Sequence, residues 1–243
     1  MLAALRDAGI YQRQTVTGQG PVRESLVSEF ETARKQMVDS QIRPSDVTDR
    51  RLIAAFLDIP RHIFVPRARR ASAYSDSQVP VGDARVLMRP RDFAKLVHAA
   101  DIQPDELVLD IACARGYSSA ILARMAGTVV GLESDEDSLS RASGLLADIG
   151  ADNAVVIEGD LAAGVAKQGP FDVIFVNGAV DAVPQAWFDQ LADGGRLVAV
   201  VRHGPIGKAT VFTRSAAGIG ERVVFDAHVA PLPGFQAEAG FVL

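Results

Sequence analysis

The chain has one cysteine, Cys113, among 243 residues. A single thiol cannot close an intrachain disulfide, and it excludes a zinc site built on several thiolates. The expectation is therefore no bound metal and a reducing, cytoplasmic setting. Also missing is any apolar run of the ~18 residues that a membrane span requires. Neither an internal repeat nor a low-complexity block occurs. The net charge of −5 gives no general attraction for nucleic acid or for an anionic membrane. Arg67, Arg69 and Arg70 cluster locally, which reads as a solvated loop.

What is present suits a globular domain: 48% hydrophobic and 23% charged residues are too apolar for disorder. Residues 1–27 read as a loosely ordered extension, too interrupted to be a secretory signal. Residues 28–243 read as a single domain with two grammars. From 28 to 100 the pattern is helices and loops with few strand signals. A helix is expected over Ser28–Ser40, with Phe30, Ala33, Met37 and Ser40 on one side. A second spans Arg50–Leu57 behind an N-cap at Thr48 or Asp49. The stretch Pro60–Pro66 reads as extended, punctuated by its prolines. A third helix runs from Pro90 to Ala100.

From 101 to 243 strands alternate with helices. Apolar strands are expected at Leu107–Ile111, Thr128–Leu132, Ala154–Glu158, Phe171–Val176 and Gly195–Val201. Near-continuous apolar strands with helices between them predict a parallel sheet covered on both faces. Lys208–Ser215 and Glu221–Ala227, joined by a Gly-containing turn, predict an antiparallel hairpin. The fold class is thus α/β: a Rossmann-like, mostly parallel sheet with a C-terminal hairpin and an N-terminal helical segment.

In such a sheet ligands sit at the carboxyl ends of the strands, where strand order reverses. Four loops fall there. The first, from Asp110 through Ala112 and Ala114 to Gly116, carries small side chains that let backbone approach a ligand. The second holds Glu133, 23 residues beyond Asp110, placed to accept both hydroxyls of a ribose. The third is Gly159-Asp160, an acid able to accept an adenine amino hydrogen. The fourth is Asn177-Gly178-Ala179, where Asn177 either orients a polar acceptor or caps the following turn. A Gly-x-Gly-x-x-Gly dinucleotide turn is absent, since Ala112, Ala114 and Tyr117 stand at those places.

With these residues in place the chain resembles the protein-L-isoaspartate O-methyltransferase family. The resemblance runs from about Arg34 to Val201. It rests on Met37–Ile42, on Pro60-Arg61-His62-Ile63-Phe64-Val65-Pro66, on Ala73-Tyr74-Ser75-Asp76 and on Val79–Gly82. It implies S-adenosylmethionine as cofactor, bound by Asp110, Ala112, Ala114, Gly116, Glu133, Gly159, Asp160 and Asn177. It also implies carboxyl methylation of damaged aspartyl residues, a protein-repair activity, in a protein or peptide substrate. No oligomeric state follows.

Two departures stand out. The family's Gly-x-Gly-x-Gly turn reads Ala112-x-Ala114-x-Gly116 here, and an Ala at positive φ costs ~1–2 kcal/mol relative to Gly. The family's Gln-Thr-Ile-Ser-Gln-Pro stretch reads Arg85-Val86-Leu87-Met88-Arg89-Pro90, so both hydroxyls are lost. Arg85, Met88 and Asn177 are the candidates for the acceptor pocket. Arg85 and Arg89 either pair with an acidic substrate or are surface charge at a helix entrance. No general base is assigned: His62 reads as a packing residue and Cys113 as a buried thiol. Two alternatives stay open, a methyltransferase with another acceptor and a non-catalytic binding module.

Overall fold

The computed structural model describes residues 21–237, apart from residues 83 and 205. The reading of an N-terminal extension lies, up to residue 20, outside the described residues. Helix α1 spans Pro21–Met37, starting before the expected Ser28, and runs into a wider π turn over Val38–Ile42. That change of pitch carries Ser40 to the exposed side, while Met37, Val38 and Ile42 are buried. Helix α2, Arg50–Asp58, is capped by Asp49, whose carboxylate accepts from the Arg51 and Leu52 amides at 2.7 and 3.5 Å. Of the two cap candidates, Asp49 is the one used.

Two expectations for the N-terminal region need correction. The proline-bounded stretch is not extended: Arg61–Phe64 forms a 3-10 turn, and a second follows at Arg67–Ser72. The flanking prolines fix their own φ and end the turn, but leave the residues between free to coil. The region also contains strands. Val79–Gly82 (β1) and Arg85–Leu87 (β2) pair antiparallel as a separate two-stranded sheet. Helix α3 follows at Pro90–Ala100, with the bounds its pattern predicts.

The main sheet holds β3 (Leu107–Ile111), β4 (Thr128–Glu133), β5 (Ala154–Glu158), β6 (Phe171–Val180), β7 (Leu191–His203), β8 (Ile206–Ser215) and β9 (Gly218–Ala227). Its order is β5-β4-β3-β6-β7-β8-β9. The first five neighbours run parallel. The β7–β8 and β8–β9 pairs run antiparallel, which supplies the expected hairpin. Strand order reverses between β3 and β6, so the ligand crevice of such a sheet falls at their carboxyl ends.

Alternate residues of each central strand enter opposite core layers. Val108, Val129, Val173 and Phe175 pack toward α2, α3 and α4 (Tyr117–Ala123), together with α5 (Glu136–Asp148). Leu109, Val130, Ile174 and Leu197 pack toward Trp187 and Leu232. Each such side chain contributes roughly 1.5–3 kcal/mol on burial. The sheet edge that concerns function therefore rests on a core filled on both sides.

Strand β6 is longer than its sequence pattern predicts. It continues through Asn177-Gly178-Ala179, expected as a loop, past a register shift against β7. The segment 230–235 pairs with this extension. The Ala179 amide donates to Ala230, and the Leu232 amide donates back to Ala179, at 3.0 and 2.8 Å. Leu232 then fills the space over Gly178, where an added Cβ would stand 2.3 Å from its Cγ.

Candidate functional site

The carboxyl ends of β3, β4 and β6 bring Asp110, Glu133 and Asn177 to one edge. Asp110 and Glu133 are both fully buried. Asp110 accepts from the Ser118 and Ser119 hydroxyls at 2.7 and 2.6 Å and from the Asn177 amide. Asn177 thus fixes Asp110 rather than capping a turn. Burial drives the Asp110 pKa up to about 7, although the three donors pull it the other way. Neutral donors soften the desolvation of a carboxylate without cancelling it.

Glu133 is held differently. Its Oε2 accepts from the Ala114 amide at 2.8 Å, and its Oε1 accepts from the Ser134 amide at 2.8 Å. The guanidinium of Arg85 reaches both oxygens, with Nη2 to Oε1 at 2.9 Å and Nε to Oε2 at 3.4 Å. The two side chains are 8% and 0% exposed, so the pair is out of water. This corrects both alternatives for Arg85: it is neither free for a substrate nor surface charge, and it lies on a strand. Arg89 is likewise engaged, at 2.8 Å from the buried carboxylate of Asp92.

The loop after β3 takes the backbone that its glycine-poor sequence resists. Ala112 and Ala114 stand at φ 59° and 50°, with Gly116 at 86°. The two alanines are therefore strained, each by ~1–2 kcal/mol. Gly116 is favoured for a second reason, since a Cβ there would lie a tight 3.1 Å from the Cβ of Ala142 in α5. Cys113 sits between the alanines, buried beneath Gly131. Burial, with Asp110 and Glu133 nearby, pushes its thiol well above the usual range.

Beside this loop a void of about 10 Å³ remains, walled by Met88, Val86, Arg61, Tyr117, Ala114 and Asn177 among others. That is room for about one water. Arg61 is fully buried, donating to the carbonyls of Ala73 and Met88 at 2.6 Å each. Its Nη1 and the Tyr117 hydroxyl have no hydrogen-bond partner among the described residues. Sequence reasoning missed Arg61 as a site residue and Phe93 as part of the wall, while Tyr117 closes the first of the four loops it singled out. The available signal was an arginine beside the apolar run Ile63-Phe64-Val65 in a proline-bounded motif.

The remaining candidates lie further out. Gly159 donates its amide to the Glu133 carbonyl at 3.0 Å. Asp160 is exposed, with one oxygen accepting from the Ala162 amide at 2.9 Å. Leu232 covers Gly178, so Asn177 but not its neighbour lines the void. His62 is stacked on Phe30 and bonded to the Tyr74 hydroxyl, and it does not line the void. Burial lowers its pKa to about 4, helped by Arg70 and Arg34. Among the described residues no group of His, Cys, Asp or Glu is arranged to hold a metal, and no helix is long and apolar enough to cross a membrane.

Comparison with known proteins gives the lineage of the chain. Residues 32–228 match the family model described as protein-L-isoaspartate(D-aspartate) O-methyltransferase. A protein-L-isoaspartate O-methyltransferase of Methanoregula boonei is 35% identical over 83% of this chain and 93% of its own length. One from Gloeobacter violaceus is 36% identical over 81% and 96%. Among solved structures, a protein-L-isoaspartate O-methyltransferase superposes with TM-score 0.74 at 24% identity, covering 83% of this chain and 66% of the other. A Plasmodium falciparum protein assigned to the same activity, crystallised with S-adenosyl-L-homocysteine, superposes with TM-score 0.70 at 17% identity, covering 84% and 97%. These two likenesses speak for the fold, and the sequence matches for the lineage: the chain belongs to the protein-L-isoaspartate(D-aspartate) O-methyltransferase family.

Proposed function

We propose that this chain is an S-adenosylmethionine-dependent O-methyltransferase whose acceptor is a carboxylate of a damaged aspartyl residue in a protein or peptide. The observation that carries the reading is the family match over residues 32–228, which includes every candidate at the sheet edge. Glu133 is the acceptor for ribose hydroxyls in this reading, Asp160 the partner of adenine, and the Asp110–Gly116 loop the seat of the amino-acid tail. The lone buried Cys113 supports a reducing, cytoplasmic setting.

In the arrangement described above the ribose-accepting carboxylate is already occupied. Both oxygens of Glu133 are taken by Arg85, and the void beside the loop is about 10 Å³. Turnover therefore belongs to an opened form of the edge. The acceptor side makes few demands on the protein. A carboxylate, with a reference pKa of about 4, is already ionised at neutral pH and needs no general base. His62, stacked on Phe30, bonded to Tyr74 and held neutral by its lowered pKa, agrees with that economy. Positioning of the two reactants can supply most of the rate, roughly 7–11 kcal/mol.

Incubation with methyl-labelled S-adenosylmethionine and an isoaspartyl peptide tests the reading. The expected product is a peptide methyl ester. Bound cofactor without transfer to the peptide would eliminate this acceptor. One observation favours a second reading, a different acceptor: Val86 and Met88, which replace the family's hydroxyls, wall the void. Preferential transfer to a small carboxylic acid or a phenol over the isoaspartyl peptide would establish it.

A further inference from the structure

We infer that Arg85 occupies, on Glu133, the place where the cofactor's ribose hydroxyls would be accepted, so that guanidinium and cofactor compete for one carboxylate. Arg85 then sets the affinity for the nucleoside. The inference rests on the proposed role of Glu133 and concerns the control of that site.

Three observations carry it. First, the carboxylate is prearranged without Arg85. The Ala114 and Ser134 amides fix one oxygen each at 2.8 Å, which leaves further lone pairs of both oxygens pointing toward Arg85. A ribose diol could take that bidentate place only after the guanidinium leaves. Charge-assisted bonds in a dry site are stronger than those of neutral hydroxyls, so the exchange runs against the cofactor.

Second, Arg85 does not belong to the main sheet. It lies on β2, and the β1–β2 sheet has only two strands, hydrogen-bonded to each other and not to the seven-stranded sheet. Two-stranded ribbons are marginal on their own. This one is held by apolar packing of Val79, Val81 and Leu87, by the Arg61 bond to Met88, and by the Arg85–Glu133 pair.

Third, the residues that follow Arg85 directly are those that close the void: Val86, Leu87 and Met88 all line it. Withdrawal of Arg85 and enlargement of the void are thus one movement of one short segment. The apparent affinity for cofactor falls by the fraction of molecules in which that movement has occurred.

The test is titration of the full chain with S-adenosyl-L-homocysteine by calorimetry, comparing the wild type with Arg85→Gln. The expected result is at least about tenfold tighter binding by the variant. The gain should vanish in Arg85→Gln/Glu133→Gln, where the carboxylate is gone. Equal or weaker binding by Arg85→Gln overturns the inference, and so does binding by neither protein. Should Arg85→Gln not fold, hydrogen exchange on the wild type decides. Saturating S-adenosyl-L-homocysteine should speed exchange of the β2 amides, and unchanged or slowed exchange counts against competition. The outcomes separate from those of the activity assay. Tighter binding without methyl transfer to an isoaspartyl peptide removes the acceptor but keeps the competition. Transfer by a wild type that Arg85→Gln does not tighten does the reverse.

Discussion

The ends of β3 and β4 lie side by side, and each buries one carboxylate completely, yet the two are neutralised by different means. Glu133 at the end of β4 meets a guanidinium brought in from a separate two-stranded ribbon. Asp110 on β3 meets only two hydroxyls and an amide, all from its own sheet and the helix that follows it. One carboxylate depends on a distant segment staying in place, while the other depends on a proton. The same edge therefore has a part that the rest of the chain can release and a part that solvent acidity can alter.

Breaking the first part should have the largest effect. Glu133→Ala leaves the Arg85 guanidinium buried without its counter-charge, and a loss of about 3–5 kcal/mol is expected from urea unfolding. Replacing both partners by apolar residues, as in Arg85→Met/Glu133→Leu, should recover most of it. A cost below 1 kcal/mol for the single variant would mean that Arg85 escapes to solvent easily.

The second part should respond to pH. The folded-state pKa of Asp110 is raised to about 7, above the ordinary carboxylate value of about 4. The native state then binds this proton more tightly than the unfolded chain does. Its stabilising contribution is complete below about pH 4 and is lost as pH rises through about 7. Asp110→Asn carries no such proton, so the variant should gain on the wild type between pH 4 and pH 8, by on the order of 2–4 kcal/mol. Measuring the difference between the two proteins removes the opposing contribution of His62, whose lowered pKa makes stability fall as pH drops from about 6.5 toward 4. A difference independent of pH would mean that Asp110 does not take up its proton in this range.

At the β6 side of the crevice, Gly178→Ala puts a methyl into Leu232. A loss of about 1–3 kcal/mol is expected for forced overpacking, read from thermal unfolding, with no change at the Glu133 end. The smallest effect separates strain from packing. Ala84, in the ribbon's turn, and Ala112, on the β3 edge, share positive φ values of 57° and 59°, but Ala84 is exposed and Ala112 buried. Ala84→Gly should stabilise by about 0.5–1 kcal/mol, raising Tm by roughly 2–4 °C. Ala112→Gly should be near neutral, because lost methyl burial offsets the relieved strain. Equal gains at both positions would show that the Ala112 methyl packs on nothing of consequence.

Much of this was legible in the sequence, for physical reasons that particular residues illustrate. The parallel strands declare themselves because β3, β4 and β6 are buried on both faces and are apolar over most of their length, with Asp110, Glu133 and Asn177 toward their carboxyl ends. Local signals also held: the Asp49 cap, Pro90 at the start of α3 and the turn between β8 and β9. The β1–β2 ribbon did not declare itself, since its strands are only four and three residues long and Pro80 sits within one of them. Alternation around Gly82, in Val79-x-Val81 and Arg85-x-Leu87, was the signal available. The pairing of Arg85 with Glu133 spans 48 positions, and no local pattern encodes a partner at that distance. Charge type could not settle it, since an Arg beside apolar residues fits a helix entrance as well as a buried ribbon. The extension of β6 was hidden likewise, because Leu232 and Ala230, which bond to Ala179, come from far along the chain.

Cys113, the chain's only cysteine, lies within the strained loop with its thiol buried and hard to ionise. A thiol in that condition reacts poorly with alkylating reagents. The molecule consequently contains a natural chemical clock: the rate at which a single iodoacetamide adduct accumulates in the mass spectrum counts excursions of the loop, with no label introduced and no second site to confuse the reading.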